Sequence, residues 1–140
     1  MTEALQENLA AKLDDLPLIS AASLGEGVLK RIVFGPGRFF DDYSVRLFTL
    51  PARKIIPVHE HDWPHYLITL DGHGQVVIDG VLHDLPQGSW AHVPADVPHS
   101  YGNSGDDPFT FLCIVPWRGD PQGRRIGMKQ RRIEEKEQEN

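Results

Sequence analysis

The sequence predicts an all-β domain, a sandwich or a barrel, from three observations. Short runs of alternating or β-branched residues recur along the chain, for example at 43–50 and 109–115. Glycine, proline and Asp-Gly turns separate these runs. The clearest is Asp79-Gly80 between two apolar segments, which predicts a type I′ hairpin. Only one short segment has helical spacing, and this combination is typical of all-β folds.

The one helix that we expect is a short amphipathic helix over residues 2–16. Four leucines recur there at helical spacing, and Pro17 ends the pattern. They are Leu5, Leu9, Leu13 and Leu16. The first interpretation is a helix docked on the outside of the domain, and the alternative is an arm that stabilises a dimer.

The chain divides into three parts on this pattern. We expect an N-terminal helical arm over residues 1–24, a β-barrel domain over residues 25–119 and a charged tail over residues 120–140. The tail is first basic and then acidic, which is typical of a solvated segment. The 140 residues suffice for one domain with a hydrophobic core of its own.

Charge and composition exclude several classes of partner. The net charge of −6 argues against binding to nucleic acid or to an acidic membrane surface. No apolar run approaches the ~20 residues of a membrane-spanning helix, and the N-terminus does not resemble a signal peptide. The one cysteine, Cys113, excludes an intramolecular disulfide and fits a reducing compartment. We therefore expect a cytoplasmic protein.

Three of the seven histidines, His59, His61 and His65, fall within seven positions. All three have odd numbers, so in a locally extended chain they share one face. Three neutral imidazoles on one face are difficult to explain by packing and are typical of a metal site. The sequence therefore predicts a metal centre here.

Two motifs in the region of these histidines carry a family resemblance. The first is His59-x-His61-x3-His65-x6-Gly72, and the second is Gly80-x5-Pro86-x-Gly88 followed by Pro98-His99-x3-Asn103. They resemble the two motifs of the cupin superfamily, in the same order. The resemblance implies a small cupin barrel, that is, a double-stranded β-helix or jelly roll.

One departure from the first cupin motif narrows the resemblance. His65 stands where the motif usually has a glutamate, as in a subgroup of single-domain bacterial cupins with four histidine ligands. Trp63 and the Phe111-Leu112-Cys113 segment also match that subgroup. The resemblance implies a homodimer and a manganese ion. The metal ligands that it implies are His59, His61, His65 and His99.

Four imidazoles would fill four positions of an octahedron and leave two adjacent positions for water, dioxygen or a chelating substrate. Imidazole itself suits iron, zinc, nickel and copper, so the prediction of manganese depends on the family resemblance alone. Without a carboxylate ligand the site keeps its full positive charge. This charge favours an anionic or chelating small-molecule substrate, and neutral ligands make oxidation of the metal harder.

Four further residues are candidates for the substrate pocket. Trp63 and Phe111 are expected to form its walls. Cys113 shares a strand face with Phe111 and is most simply a small buried hydrophobe. Arg46 is either a solvated strand residue or a charge that lines the cavity.

His92 has the parity of a barrel strand and is either a core histidine or a partner of a metal ligand.

Three functions are compatible with these sequence features. The first is a metal-dependent oxygenase or related redox enzyme acting on a small organic substrate. The second is a non-redox isomerase or lyase in which the metal polarises a carbonyl, although the sequence offers no clear general base beyond His92. The third is a non-catalytic cupin that binds a small molecule. The fold alone does not decide among them.

Overall fold

A computed structural model describes residues 9–120, and it confirms the all-β class. Within these residues there are ten strands and two short 3-10 turns, at Leu13–Asp15 and Trp117–Gly119. The strands are β1 (Ile19–Ser20), β2 (Leu29–Phe34), β3 (Tyr43–Leu50), β4 (Ile55–His59), β5 (His65–Asp71), β6 (Gly74–Ile78), β7 (Val81–Leu85), β8 (Trp90–Val93), β9 (His99–Gly102) and β10 (Phe109–Pro116).

The expected N-terminal helix is reduced to one turn where the structure describes it. Residues 9–16 contain only the 3-10 turn Leu13–Asp15, and Leu9 is 69% exposed. Short helices are marginal in water unless tertiary packing buries their apolar face. Leu9 and Leu13 are exposed and lack that packing, so helical spacing of the leucines is not sufficient to form a helix here. The part of this prediction that concerns residues 1–8 lies outside the described residues, as does most of the tail.

The strands form two antiparallel sheets that together make the jelly-roll barrel. The larger sheet has the order β1-β2-β3-β10-β5-β8, and the smaller has the order β4-β9-β6-β7. No helix of the described part is long and apolar enough to cross a membrane.

Strict alternation along the central strands builds the core between the sheets. In β10 the residues Phe109, Phe111, Cys113 and Val115 are buried, as their shared parity predicts. In β5 the inward residues begin with His65, while the intervening ones face outward. His65 therefore lies on the inner face of a strand that also forms the hydrophobic core.

The Asp79-Gly80 turn has the backbone that its sequence predicts. Asp79 has φ 50° and Gly80 has φ 79°, as a type I′ turn requires at both central positions. Ile78 and Val81 pair directly across it. This hairpin of β6 and β7 fixes the register of the smaller sheet, in which β6 also pairs with β9, the strand that His99 begins.

Candidate metal centre

His59 and His99 are cross-strand neighbours in the smaller sheet. His59 is the last residue of β4, His99 is the first of β9, and the two are Cα partners in the register. Directly opposed side chains on one face lie close together, and here the ring centroids are 4.3 Å apart. A register shift between Ile56 and His59 precedes the pair, at the point where Pro57 lacks an N–H to donate.

His59, His61 and His65 do not share one extended strand, so the prediction from their odd numbering is wrong in its reason, although it identified the correct region. The chain leaves β4 at His59, bends through residues 60–64, and begins β5 at His65 in the other sheet. His61 lies in that bend. The side chains therefore converge because two facing sheets bring them together. Pro64 and the preceding bend interrupt the extended backbone that the parity argument requires.

Three of the four predicted ligands form a compact cluster. Ring nitrogens of His59, His61 and His99 all lie within 4.8 Å of one another. His65 is outside this group of three, but its ring centroid is 4.8 Å from that of His99. The indole of Trp63 stacks on the His61 ring at 4.3 Å with an interplanar angle of 4° and so holds that ring in place.

Hydrogen bonds orient the imidazoles. The Nδ1 atoms of His59 and His99 each lie 2.9 Å from a backbone carbonyl, of Pro57 and Val97 respectively. Because a carbonyl only accepts, each Nδ1 carries the proton and donates. Each Nε2 therefore keeps a free lone pair, the state in which imidazole binds metals.

The buried ring nitrogens fit a metal ion. Nε2 of His65 and Nε2 of His99 are buried and have no hydrogen-bond partner among the described residues. Nδ1 of His65 is instead 3.4 Å from Sγ of Cys113. Unpartnered polar atoms are costly to bury, and a cation in front of them would remove that cost. Neutral nitrogen donors also suit a divalent transition metal.

The surroundings keep the histidines neutral. Burial and the neighbouring His59 and His99 lower the pKa of His61 to about 4. Burial and the charge of Arg46 lower the pKa of His65 to about 2. Burial also lowers the pKa of His99, against the effect of its bond to Val97. Metal binding therefore needs no deprotonation of these three side chains at neutral pH.

The histidines open into a cavity of about 370 Å³, which is in the size range of small-molecule sites. All four predicted pocket residues line it: Trp63, Phe111, Cys113 and Arg46. His59, His61 and His65 line it as well. Much of the remaining wall is apolar, with Ala21, Leu24, Phe48 and Ile56.

Arg46 is buried and lines the cavity, so it is not the solvated strand residue that was the alternative interpretation. Its Nη1 donates to Oδ2 of Asp120 at 2.7 Å, and its Nη2 is 3.0 Å from Sγ of Cys113. Lys30 Nζ donates to the same carboxylate at 2.9 Å. Burial opposes ionisation of Asp120, but the cations outweigh it and lower the pKa of Asp120 to about 2. We call these three residues, Lys30, Arg46 and Asp120, the ion triad.

The remaining histidines lie away from the centre. His73, in the turn before β6, and His83, on β7, are both exposed. His92 is also exposed and stacks on Tyr66 on the outer face of the sheet, so it is neither a core residue nor part of the cavity. Its Nδ1 does contact the backbone carbonyl of His65, at 3.2 Å.

Two features of the cavity have no signal in the sequence. Tyr101 lines it, and the buried Tyr101 hydroxyl has no hydrogen-bond partner among the described residues. Burial raises the pKa of Tyr101 well above its usual range. Asp120 is 0% exposed, at the position where the charge pattern begins the tail. Only the fold reveals the contacts of Asp120 with Lys30 and Arg46, which are remote from it in sequence.

Comparison with known proteins agrees with this architecture. The solved structure of the polyketide cyclase RemF from Streptomyces resistomycificus superposes with a TM-score of 0.70 and 19% identity. The match covers 76% of this chain and 78% of that one. A family model of the cupin domain matches residues 46–115, half of the chain, and the chain therefore belongs to the cupin family.

Two curated proteins share local similarity with the chain. The HTH-type transcriptional activator RhaS of Mannheimia succiniciproducens is 31% identical over 78 residues, 54% of this chain and 29% of that protein. The dimethylsulfoniopropionate lyase DddW of Ruegeria pomeroyi is 37% identical over 49 residues, 35% of this chain and 32% of that protein. The chain thus matches less than a third of the length of either relative.

Proposed function

We propose that this cupin binds a divalent transition metal through His59, His61 and His99, with His65 as the fourth ligand. The observation that carries the proposal is the cluster of ring nitrogens within 4.8 Å of one another, in which His59 and His61 also line the cavity. His65 is supported as the fourth ligand because its ring lies beside that of His99 and its Nε2 has no hydrogen-bond partner among the described residues. Manganese is the metal that the four-histidine resemblance favours, and iron, zinc, nickel and copper are the alternatives that imidazole ligands accept.

We propose further that the protein is a metal-dependent oxygenase or a related redox enzyme acting on a small organic substrate. The metal would supply activation of dioxygen beside the bound substrate. The chain's own contribution is the cavity. Trp63 and Phe111 form apolar walls that exclude water, and Arg46 and Lys30 supply buried positive charge. An apolar pocket with a few fixed polar groups is typical of small-molecule enzyme sites.

Oxygen consumption tests this reaction class. Protein loaded with manganese or iron is supplied with a panel of 1,2-diketones, catechols and thiols. At least one class of compound is expected to accelerate oxygen uptake, and the His99→Ala variant is expected to lose the effect. His83→Ala is the matched control, because His83 is exposed on β7 and remote from the cavity. If no compound accelerates uptake with either metal, the redox assignment is wrong.

A non-redox lyase or isomerase is the second candidate, and Tyr101 favours it. Tyr101 lines the cavity, and its buried hydroxyl has no partner within residues 9–120, so it is available to hold or transfer a proton at a substrate. A dimethylsulfoniopropionate lyase and a polyketide cyclase among the similar proteins support this class. The test is anaerobic exchange of a proton next to a substrate carbonyl, with Tyr101→Phe as the variant. Stoichiometric binding without turnover in either assay would indicate the third possibility, a non-catalytic cupin.

We also propose a homodimer that forms through the outer face of the larger sheet. Tyr66, Ile68 and Trp90 are exposed there, and Trp90 is 78% exposed. Ile68 pairs with Trp90 on one side and with Leu112 on the other, so the apolar side chains form one continuous surface. Contiguous apolar surface of this kind is typical of protein interfaces.

A further inference from the structure

We propose that the cavity has an anion-binding subsite beside the histidine cluster, formed by Lys30, Arg46 and Tyr101. Its ligand would be a small organic acid with two functional ends, a metal-chelating head and a separate anionic tail. The inference rests on the metal binding proposed above, and it deepens that proposal by naming the class of substrate.

The charge of the cavity wall is the first support. Two cations, Lys30 and Arg46, line the cavity, and none of the described lining residues is an aspartate or a glutamate. Asp120 lies between the two cations and balances one positive charge, so the ion triad retains a net charge of +1. A divalent ion on neutral histidines would add further positive charge. The described residues do not compensate this charge. Uncompensated buried charge is costly, so an anionic ligand would be favoured.

The unused donors are the second support. A guanidinium has five N–H groups, and three hydrogen bonds from Arg46 are present, to Cys113 O, Cys113 Sγ and Asp120. Lys30 has three donors and directs two bonds to Asp120. Counting partners among residues 9–120, both side chains therefore keep donors for a ligand. The Arg46 guanidinium is also stacked over the ring of Phe48 at 4.9 Å, which fixes its orientation before a ligand arrives.

The Tyr101 hydroxyl is the third support. Tyr101 is only 6% exposed and lines the same cavity as the two cations. Its hydroxyl is buried and has no hydrogen-bond partner in the part of the chain that the structure describes. A tyrosine hydroxyl carries a proton that it can donate in a hydrogen bond. An oxygen of an anionic ligand would satisfy it, whereas an apolar ligand would leave it unpaired at a cost.

The two ends of the site are close enough for one small molecule. Nη2 of Arg46 contacts Sγ of Cys113 at 3.0 Å, and that sulfur is 3.4 Å from Nδ1 of His65. The guanidinium is therefore separated from a proposed metal ligand by a single side chain. A molecule of a few carbon atoms spans such a gap within a cavity of about 370 Å³.

Anaerobic calorimetric titration of the manganese-loaded protein tests the subsite with matched acids. One pair is 2-oxoglutarate and 2-oxopentanoate, and the second pair is 2-oxoadipate and 2-oxohexanoate. The members of each pair share a chelating head and a chain length and differ only in the tail carboxylate. In at least one pair the diacid is expected to bind about tenfold more tightly, the effect of one charge-assisted contact.

The Lys30→Met variant is expected to abolish this preference, because the remaining Arg46–Asp120 pair is neutral. Lys12→Met is the control, since Lys12 is exposed and does not line the cavity. Equal affinities within both pairs in the wild-type protein would overturn the subsite, whether or not the variant folds. Failure to retain manganese would instead overturn the proposed metal function. Metal content is measured in the same samples, so the two failures are distinguishable.

Discussion

Replacing Asp120 by Asn removes a buried negative charge that lies between two buried cations. The carboxylate is 2.7 Å from Arg46 Nη1 and 2.9 Å from Lys30 Nζ. Loss of one partner from a buried ion pair costs about 3–5 kcal/mol, because the remaining charge is left unpaired. The pKa of Asp120, about 2 against an ordinary 3.8, independently indicates about 2 kcal/mol of net stabilisation of the ionised form. Asp120→Asn is therefore expected to lose between about 2 and 5 kcal/mol of unfolding free energy.

Urea unfolding at pH 7, followed by tryptophan fluorescence, measures this loss. Asp106→Asn is the matched control, since Asp106 pairs with Arg53 at the surface and its side chain is 84% exposed. An exposed pair contributes about 0–1 kcal/mol, so the control is expected to stay near wild type. In the Asp120→Asn background, Lys30→Met removes one unpaired cation and is expected to restore part of the stability. A loss no greater than that of the control would refute the structural role of the ion triad.

Acid unfolding gives a second test of the same carboxylate. Its folded-state pKa is depressed, so its contribution is fully present above the unfolded pKa near 3.8. The contribution is lost as the pH falls through about 2, where the folded-state carboxyl takes up its proton. The stability difference between wild type and Asp120→Asn should therefore shrink between about pH 4 and pH 2. A constant difference across that range would contradict the assignment.

The remaining predictions concern packing and assembly. A Cβ on Gly74 would overlap the buried ring of Phe109, so Gly74→Ala is expected to lower the unfolding free energy in urea by about 1–3 kcal/mol. Gly102→Ala is the control, because a Cβ there has room and the unfolding free energy should stay near wild type. Equal losses of unfolding free energy in the two variants would contradict the packing of Phe109 on Gly74. Trp90→Lys is expected to convert a dimer into a monomer in size-exclusion chromatography with light scattering. Leu82→Lys is the control, because Leu82 is also an exposed apolar residue but lies on β7 in the other sheet, and this variant should remain a dimer. If both variants remain dimers, the proposed face is excluded.

Local signals predicted much of the fold. Alternation in β10 correctly assigned Phe111 and Cys113 to the buried face, and Asp79-Gly80 correctly predicted its turn. These features depend on short-range preferences, the period of a strand and the φ values that a turn demands, which are present in the sequence itself. The resemblance of the two motifs to those of cupins also implied that His59 and His99 belong to one site, and the two residues are Cα partners across β4 and β9.

The electrostatics of the site depend on long-range contacts and were not predictable. Asp120 follows β10 and reaches Lys30 on β2 and Arg46 on β3, across 90 and 74 positions of sequence. No periodicity connects such residues. The sequence left Arg46 as either a solvated strand residue or a charge in the cavity wall, because alternation does not show which face of an isolated strand is buried. Tyr101 was missed because a lone tyrosine in a short strand does not reveal that its side chain will be buried beside the cavity.

The central claim, that the histidine cluster holds a metal ion, is tested most directly by metal stoichiometry. Elemental analysis of freshly purified protein, before and after anaerobic loading with manganese or iron, is compared with that of the His99→Ala and His83→Ala variants. Wild type and His83→Ala are expected to hold one metal ion per chain, and His99→Ala, which loses a member of the cluster, is expected to hold much less. A wild-type protein that carries no metal and binds none on loading would contradict the claim.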